Sequence, residues 1–410
     1  MSKPKLRFPE FTGDWEQHKL GNICKTYSGG TPKSGKSSYY DNGTIPFIRS
    51  GEIHNDRTEL YITEDGMNES SAKMVDIGDI LYALYGATSG EVDISKINGA
   101  INQAILCIKP TTSFDRKFIV EILRHNKESI LRTYLQGGQG NLSAQIIQSQ
   151  IFNFPCLAEQ QKIASLFTEI DTLIQSAEKE LEGYRELKQG MLQKMFPKKG
   201  EKVPEIRFSG FTGDWEQHKV GDYYEFKNGL NKGKEFFGEG TPIVNFTDVF
   251  HNRGISPEML SGKVRLKLSE IKNYEVKKGD IFFTRTSETI EEIGYPSVML
   301  GEPENTVFSG FVLRGRCFLK DDPLDNLFKK YIFFTNAFRT EMLRKSSMTT
   351  RALTSGTAIK NMEFLHPSSK EEQHKIGELL TNLDNLINLQ QKEIDGYKEL
   401  KKGLLQQMFC

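Results

Sequence analysis

Residues 30–37 (GTPKSGKS) match the pattern of a phosphate-binding P-loop letter for letter. A working P-loop follows a buried strand and opens a helix, so that backbone N–H groups and the helix N-terminus cradle the phosphates. Here residues 23–28 make a poor buried strand, and residues 38–43 have the composition of a turn. The second half of the chain has no equivalent segment. We therefore predict a flexible basic loop, with a P-loop ATPase as an alternative.

Other catalytic patterns are weaker still. The Glu-x-Lys tripeptides at 186–188 and 399–401 resemble the end of a nuclease motif, but they lie in segments with a helical pattern and lack the strand on which such a site is built. The seven histidines show no HExxH or comparable ligand spacing. There is also no GxSxG elbow, no GxGxxG fingerprint and no Asn-Pro-Pro-aromatic tetrad. We expect no catalytic residue, no metal site and no cofactor on this chain.

Contacts with nucleic acid are the chemistry that the remaining polar patterns favour. Basic side chains contact phosphate, while Arg, Asn and Gln pair with base edges. Residues 133–158 carry no charge and include a Gly-rich loop of amide side chains, residues 136–141, that suits adenine; a polar surface turn explains it equally well. The candidates are Lys33, Lys36, Lys232, Lys234 and Arg344 for phosphate, Tyr39 and Tyr40 interleaved with the first of these, and Arg49, Gln139, Asn141, Arg285 and Arg351 for bases.

Composition narrows the class of protein. The 410 residues carry 54 Lys plus Arg and 54 Asp plus Glu, so a protein that holds nucleic acid by bulk charge is excluded and any DNA role must rest on local surfaces or on a partner. Five scattered cysteines without a CxxC pair argue against a disulfide framework. With no signal peptide and no apolar run of about 20 residues, we expect a cytoplasmic protein without a membrane span.

The chain is duplicated. Residues 11–19 (FTGDWEQHK) recur identically at 211–219, and residues 159–196 align without gaps to 372–409 with 21 identities in 38 positions. Between these repeats the two halves diverge into short apolar runs separated by Gly, Asn, Asp and Pro, which read as strands and turns. One local match places residues 350–354 against 139–143, so that Arg351 and the Gly-rich loop correspond. Repeated segments that flank two divergent segments are what we expect of a protein that recognises two different targets.

The two repeated segments, residues 159–196 and 372–409, predict long helices. Apolar residues recur in alternating three- and four-residue steps, interrupted at Glu180 and Glu393, which is the a/d pattern of a coiled coil; two ordinary core helices are the alternative. The predicted seam consists of Ile163, Leu166, Ile170, Leu173, Tyr184 and Leu187 in the first helix and Ile376, Leu379, Leu383, Leu386, Tyr397 and Leu400 in the second.

These features resemble the DNA specificity subunit of type I restriction–modification systems. The resemblance rests on the repeated FTGDWE segments, the Gly-Gly-Thr-Pro stretch at 29–32, and the helix starts EQQKI (159–163) and EQHKI (372–376), and it covers essentially the whole chain. It implies an α+β protein in which two similar mixed α/β target-recognition domains alternate with two long helices that pair as an antiparallel coiled coil. The implied boundaries are domain 1–157, helix 158–197, linker 198–206, domain 207–370 and helix 371–410.

The resemblance also implies function and partners. Each domain would read one half of an asymmetric bipartite site in double-stranded DNA, and antiparallel helices would set the two readers about one DNA turn apart. The helices would dock two methyltransferase subunits, and restriction subunits would join through that core. S-adenosylmethionine, ATP and Mg²⁺ would be bound by those partners, and this chain would be non-catalytic. The alternative is a coiled-coil scaffold with two interaction domains that do not bind DNA.

Overall fold

The computed structural model describes residues 3–135, 141–348 and 351–409. The chain forms two compact units, Met1–Glu178 together with Lys392–Cys410, and Lys179–Gln391. Each unit mixes helices with β-sheets, and two long helices each contribute to both units, which confirms the predicted fold class. Within the described ranges, none of the helices combines the length and apolar character needed to cross a bilayer.

The first unit is built on a four-stranded antiparallel sheet of order β2-β9-β6-β7. A second sheet of order β4-β3-β8-β5 and a two-stranded pair β1-β10 complete it. Its strands are β1 (Glu16–Lys19), β2 (Cys24–Ser28), β3 (Ile45–Ile48), β4 (Tyr61–Ile62), β5 (Lys73–Val75), β6 (Ile80–Ala83), β7 (Val92–Ile94), β8 (Gly99–Ile101), β9 (Ile105–Pro110) and β10 (Ile151–Phe154). Its helices are α1 (Leu20–Ile23), α2 (Glu64–Asn68), α3 (Arg116–Leu135), α4 (Ala144–Ser149) and the first half of α5 (Leu157–Lys194).

The central strand β6 explains why this sheet holds the unit together. Its four residues are all buried, because side chains that alternate along a strand face two different layers. Ile80 and Tyr82 pack in the core that includes α3, whereas Leu81 and Ala83 pack in the core that includes the second sheet. An apolar strand that is covered on both faces is therefore the expected pattern.

The second unit repeats this plan with a five-stranded sheet of order β12-β20-β16-β18-β14. Smaller sheets have the orders β15-β13-β19, β17-β22-β21 and β11-β23. The strands are β11 (Glu216–Lys219), β12 (Tyr224–Asn228), β13 (Phe237–Val244), β14 (Gly254–Ile255), β15 (Lys263–Val264), β16 (Ile281–Thr284), β17 (Thr286–Ser287), β18 (Pro296–Met299), β19 (Val307–Phe308), β20 (Val312–Cys317), β21 (Ser347–Met348), β22 (Ala352–Leu353) and β23 (Glu363–His366). The helices are α6 (Phe246–His251), α7 (Leu268–Asn273), α8 (Asn326–Ile332), α9 (Asn336–Lys345), α10 (Gly356–Lys360) and α11 (Lys370–Met408), whose last part belongs to the first unit.

The same turn precedes the central strand of the main sheet in each unit. Gly78 and Gly279 have φ values of 93° and 83°, a conformation that favours glycine. The carboxylates of the next residues, Asp79 and Asp280, accept hydrogen bonds from backbone N–H groups three residues earlier, at 2.8 Å and 2.7 Å. The turn therefore needs a Gly-Asp pair, which is why these two residues persist while their surroundings differ.

The long helices bury a different stripe from the predicted one. In α5 the buried positions advance by four and three residues, and α11 follows the same rule. They are Ile163, Phe167, Ile170, Ile174, Ala177 and Leu181 in α5, and Ile376, Leu380, Leu383 and Ile394 in α11. Four predicted seam residues lie among these (Ile163, Ile170, Ile376 and Leu383).

The other eight predicted seam residues lie off that stripe. Leu166, Tyr184, Leu379 and Tyr397 are half-buried, and Leu173, Leu187, Leu386 and Leu400 are exposed. The prediction failed at these positions because an apolar neighbour stands one residue away at several of them, as Ile174 does beside Leu173. Two overlapping stripes then fit the periodicity equally well.

Each unit contains antiparallel segments of the two long helices. In the first unit, the Nζ atoms of Lys401 and Lys398 lie 2.7 Å from carboxylate oxygens of Asp171 and Glu178, so the residue numbers fall along α11 as they rise along α5. In the second unit, Lys188 of α5 forms an ion pair with Asp384 of α11.

The C-terminal end of a long helix closes the core of each unit. In the first unit Met408 and Phe409 are buried, and the ring of Phe409 lies 5.3 Å from that of Phe118 on α3. In the second unit Met195 and Phe196 occupy the same role, and the ring of Phe196 lies 5.7 Å from that of Phe328 on α8. The first core therefore depends on residues that follow the whole second unit in the sequence.

We predict that Phe409→Ala lowers the free energy of unfolding of the first unit by about 3–5 kcal/mol, because it leaves a cavity among buried rings. Urea denaturation followed by circular dichroism, with Gln406→Ala on the exposed side of the same helix as the control, measures the effect. Equal midpoints for the two variants would contradict the assignment of Phe409 to this core.

Candidate nucleic-acid interface

The P-loop pattern is not built as a P-loop. The segment that follows it is a three-residue 3-10 helix, Ser37–Tyr39, which offers no α-helix N-terminus for phosphates. The Nζ atom of Lys36 donates to the hydroxyl of Tyr39 at 2.8 Å, and this hydroxyl donates to the carboxylate of Glu69 at 2.6 Å. Lys36 is thus part of a local surface network. The ATPase alternative finds no support in this geometry.

Four loops of the first unit meet at one end of its central sheet. The end of β2 lies beside the start of β9, where Ser28 pairs with Leu106, and the end of β6 lies on the other side, where Ala83 pairs with Ile105. The N–H of Leu84 donates to the carbonyl of Ala104 at 2.8 Å. We call this end, formed by residues 29–36, 84–91, 102–104 and 141–143, the first loop edge.

The second unit has an equivalent end. The N–H of Arg285 donates to the carbonyl of Phe311 at 2.9 Å, and the N–H of Thr354 donates to the carbonyl of Arg285 at 3.0 Å. The N–H of Gly310 donates to the carbonyl of Leu230 at 2.8 Å. We call this end, formed by residues 229–236, 285–295, 309–311, 346–348 and 351–355, the second loop edge.

Helix caps give the correspondence between the two edges and correct the sequence alignment by one residue. Ser143 caps α4 by accepting from the N–H of Ile146, and Ser355 caps α10 by accepting from the N–H of Ala358. Counting back from these serines places Asn141 against Leu353 and Gln139 against Arg351, not against Thr350. Gln139 lies outside the described residues, so the correspondence is one of position only.

Equivalent backbone positions carry different side chains at the two edges. Leu84 donates to Ala104 through the same backbone bond that joins Arg285 to Phe311. Leu84 and Ala104 are buried, whereas Arg285 is half-buried and Phe311 is 56% exposed. Phe311 was missed in the sequence because a Phe in a Ser-Gly-Phe turn gives no sign of which way it points.

Four of the predicted phosphate contacts lie on the loop edges. Lys33 and Lys36 follow β2, and Lys232 and Lys234 follow β12. Lys33 and Lys234 are exposed, whereas the Nζ atom of Lys232 lies 2.6 Å from a carboxylate oxygen of Glu270. Asn141, Arg285 and Arg351, predicted as base contacts, reach the edges as well, and both Asn141 and Arg351 are exposed.

The two tyrosines are corrected by the structure, and Arg344 lies outside the loop edge. Tyr39 is only 4% exposed, so its ring is not available to stack on a base. Tyr40 is half-buried and donates its hydroxyl proton to the carbonyl of Pro32 at 2.6 Å. Arg344 lies on α9, just before the second loop edge, and lines a groove of the second unit with Arg185 of α5; its phosphate contact stays a prediction.

Arg49 is held by two carboxylates. Its guanidinium donates to Glu52 at 2.8 Å and 3.0 Å and to Glu59 at 2.9 Å. Burial alone would raise the pKa of Glu52, but the bonds from Arg49 and from backbone N–H groups lower it to about 2. The guanidinium therefore stabilises a buried carboxylate, and its Nε and Nη2 donors are already engaged.

One cluster of potential metal ligands was not visible from spacing. Donor atoms of Glu216, His218 and His366 lie within 4.8 Å of one another, because β11 pairs with the sequence-distant β23 and places Glu216 opposite His366. Both ring nitrogens of buried His366 already have partners, the carbonyl of Pro367 at 2.9 Å and the hydroxyl of Tyr223 at 3.0 Å. These bonds explain the cluster as packing between the two strands.

Comparison with known proteins decides the family. The model of the type I restriction–modification DNA specificity domain matches residues 12–183 and again residues 212–397. The chain belongs to the type I restriction–modification specificity family. The predicted relationship is thereby confirmed, and DNA recognition by a specificity subunit is the function that the family supports.

Individual relatives extend this match over the whole chain. A type I specificity subunit from Methanocaldococcus jannaschii is 24% identical over 98% of this chain and 92% of its own length. One from Escherichia coli is 30% identical over 194 residues, 45% of this chain and 47% of the relative. The crystal structure of the specificity subunit from M. genitalium has the same fold, with a TM-score of 0.62, 14% identity and coverage of 100% of this chain and 99% of that one.

We predict that Arg49→Ala lowers the melting temperature and leaves base preference unchanged, since Arg49 supports Glu52 and not a base. Because the folded pKa of Glu52 is depressed, its contribution is present above about pH 4.5 and is lost as the pH falls toward 2. The deficit of the variant should shrink over that range in calorimetry. Arg57→Ala, at an exposed arginine of the same loop, is the control, and an altered base preference for Arg49→Ala alone would contradict the assignment.

Proposed function

We propose that this chain is the specificity subunit of a type I restriction–modification complex and that it reads an asymmetric bipartite DNA site, one half with each loop edge. The observation that carries the proposal is that the two edges have the same backbone hydrogen bonds but different side chains. Leu84 and Arg285 occupy the same place in the hydrogen-bonded frame, as do Ala104 and Phe311. Two edges with the same frame and different chemistry suit two different half-sites.

The charge distribution supports a model in which the two edges contact DNA and a partner supplies additional cationic surface. Exposed lysines such as Lys33 and Lys234 lie on the loop after the first strand of each central sheet, where they can contact phosphates without reading sequence. The chain as a whole has a formal charge of zero, so these few contacts give little non-specific affinity. Stable DNA binding would therefore need a partner that adds cationic surface.

Exposed leucines on the long helices provide a surface for that partner. Leu173 and Leu400 in the first unit, and Leu187, Leu386 and Leu389 in the second, are 40–62% exposed. Leu173 and Leu386 occupy equivalent repeat positions, as do Leu187 and Leu400. An apolar patch that recurs at equivalent positions suits two copies of one partner. We assign it to two methyltransferase subunits.

The partners would supply all the chemistry. The methyltransferase subunits would use S-adenosylmethionine to methylate adenine, and restriction subunits would join through them and use ATP and Mg²⁺. This chain would position each methyltransferase subunit over one half of the DNA site. The same assignment makes the chain non-catalytic and places it with DNA in the cytoplasm.

Expression of the chain with its cognate methyltransferase in a host of known methylation pattern should create a new bipartite motif, methylated on adenine in both halves. Single-molecule methylome sequencing detects it, and the host with methyltransferase alone is the control. A purified complex that forms but retains no DNA at low salt would instead favour an interaction scaffold.

We predict that the double variant Leu173→Asp, Leu386→Asp folds normally and fails to bind methyltransferase, because both leucines are exposed and apolar. The matched control is Gln175→Asp, Asn388→Asp, which adds the same charge at two exposed, equivalent positions of the same helices. Gel filtration measures the complex and circular dichroism measures the fold. A normal complex for the leucine variant would refute the docking assignment.

A further inference from the structure

We infer that the two loop edges differ in the bases they read: the second edge reads a half-site containing guanine and thymine, through Arg285, Arg351 and Phe311, and the first edge reads through neutral amides. This inference rests on the proposed function and adds to it the chemical class of each half-site. The inference comes from comparing the side chains that the two edges carry at equivalent backbone positions.

Arg285 is positioned for a base contact by its backbone. Its N–H donates to Phe311 and its carbonyl accepts from Thr354, so the residue is held from both sides at the start of β17. The guanidinium is half-buried, and one bond within the described residues, a long one of 3.4 Å from Nη1 to the carbonyl of Gly310, leaves its other donors available. A guanidinium with two free donors matches the O6 and N7 acceptors of guanine.

Arg351 approaches the same edge from the neighbouring strand. It precedes β22, which pairs with β17 through Thr286 opposite Leu353 and Ser287 opposite Ala352. The two arginines therefore flank one short strand pair from opposite ends. Two arginines so placed can contact neighbouring base pairs.

Exposed apolar side chains belong to the same turn and strands of the second edge. Phe311, Met348 and Leu353 are 41–56% exposed and belong to the turn before β20 and to the strands β21 and β22. The C5 methyl group of thymine is the apolar feature of the major groove, so these residues suit contact with thymine. No apolar side chain of this kind is needed for phosphate binding.

The first edge has neither feature at the equivalent positions. Leu84 and Ala104 are buried there, and besides the lysines assigned to phosphate the edge carries neutral amides: Gln103, whose side-chain oxygen accepts from the hydroxyl of Thr31 at 2.5 Å, and the exposed Asn141. Asn and Gln pair with the N6 and N7 atoms of adenine. The first half-site should therefore depend on amides and not on arginine.

The test measures how the assembled complex with methyltransferase binds oligonucleotides in which each base pair of the bipartite motif is replaced in turn. The variants are Arg285→Leu and Phe311→Ala, which install the residues that the first unit carries at the same positions and so are compatible with the frame. Lys234→Ala is the control for a phosphate contact on the same edge, and Asn141→Ala probes the first edge.

The wild-type complex should discriminate against replacement of a guanine in one half-site by roughly 5- to 150-fold. Arg285→Leu should abolish that discrimination at one guanine and leave the other half-site unchanged, and Phe311→Ala should do the same at a thymine. Asn141→Ala should relax the opposite half only. Lys234→Ala should weaken binding to all sequences equally and make it less sensitive to salt.

Two results would overturn the inference while leaving the proposed function intact. In one, Arg285→Leu weakens binding to all sequences equally, as a phosphate contact would. In the other, the relaxed position is not a guanine. Failure of the proposed function itself looks different, because the wild-type complex would then show no preference for any bipartite sequence.

Discussion

Each of the two units is stabilised by its own copy of the same buried ion pair. Arg7 and Glu159 form two parallel bonds of 2.7 Å, and Arg207 and Glu372 form bonds of 2.7 Å and 2.8 Å. Both carboxylates are almost completely excluded from water, so removing either arginine would leave a charge buried without a partner. The pair ties the segment before the first strand of a unit to the start of a long helix.

The neighbouring glutamine extends this clamp. Gln160 accepts from the N–H of Asp115 at 2.9 Å, and Gln373 accepts from the N–H of Asp325 at 2.7 Å. Their amide groups also donate to Pro155 and Pro367, just after the last strand of each unit. The repeated Glu-Gln start of the long helices thus joins three segments in each unit, which explains its persistence where the interiors diverge.

The sequence was sufficient to predict features that repeat along the chain. It was insufficient to predict features that depend on the direction in which a side chain points. Duplication, strands, long helices and the family could be predicted from identical segments and periodicity. The helix seam could not, because Leu173 and Ile174 are both apolar and only packing selects between them. Tyr39 donates to Glu69, 30 residues away, and Arg49 is held between Glu52 and Glu59; neither arrangement has a spacing signal in the sequence. Alignment across divergent loops failed by one residue, and helix caps at Ser143 and Ser355 were needed to correct it.

The divergence of the two halves has a physical rationale in where the clamps and the loop edges lie. The ion pairs, the Gly-Asp turns and the helix ends at Phe196 and Phe409 all act on the frame, and each has few alternatives because it is buried or conformationally restricted. Residues at the loop edges are fixed mainly through backbone bonds, which any side chain permits. The buried Leu84 and the half-buried Arg285 make the same backbone bonds, so the side chains of an edge can differ while these bonds stay the same. A frame stabilised in this way tolerates different side chains at its two loop edges.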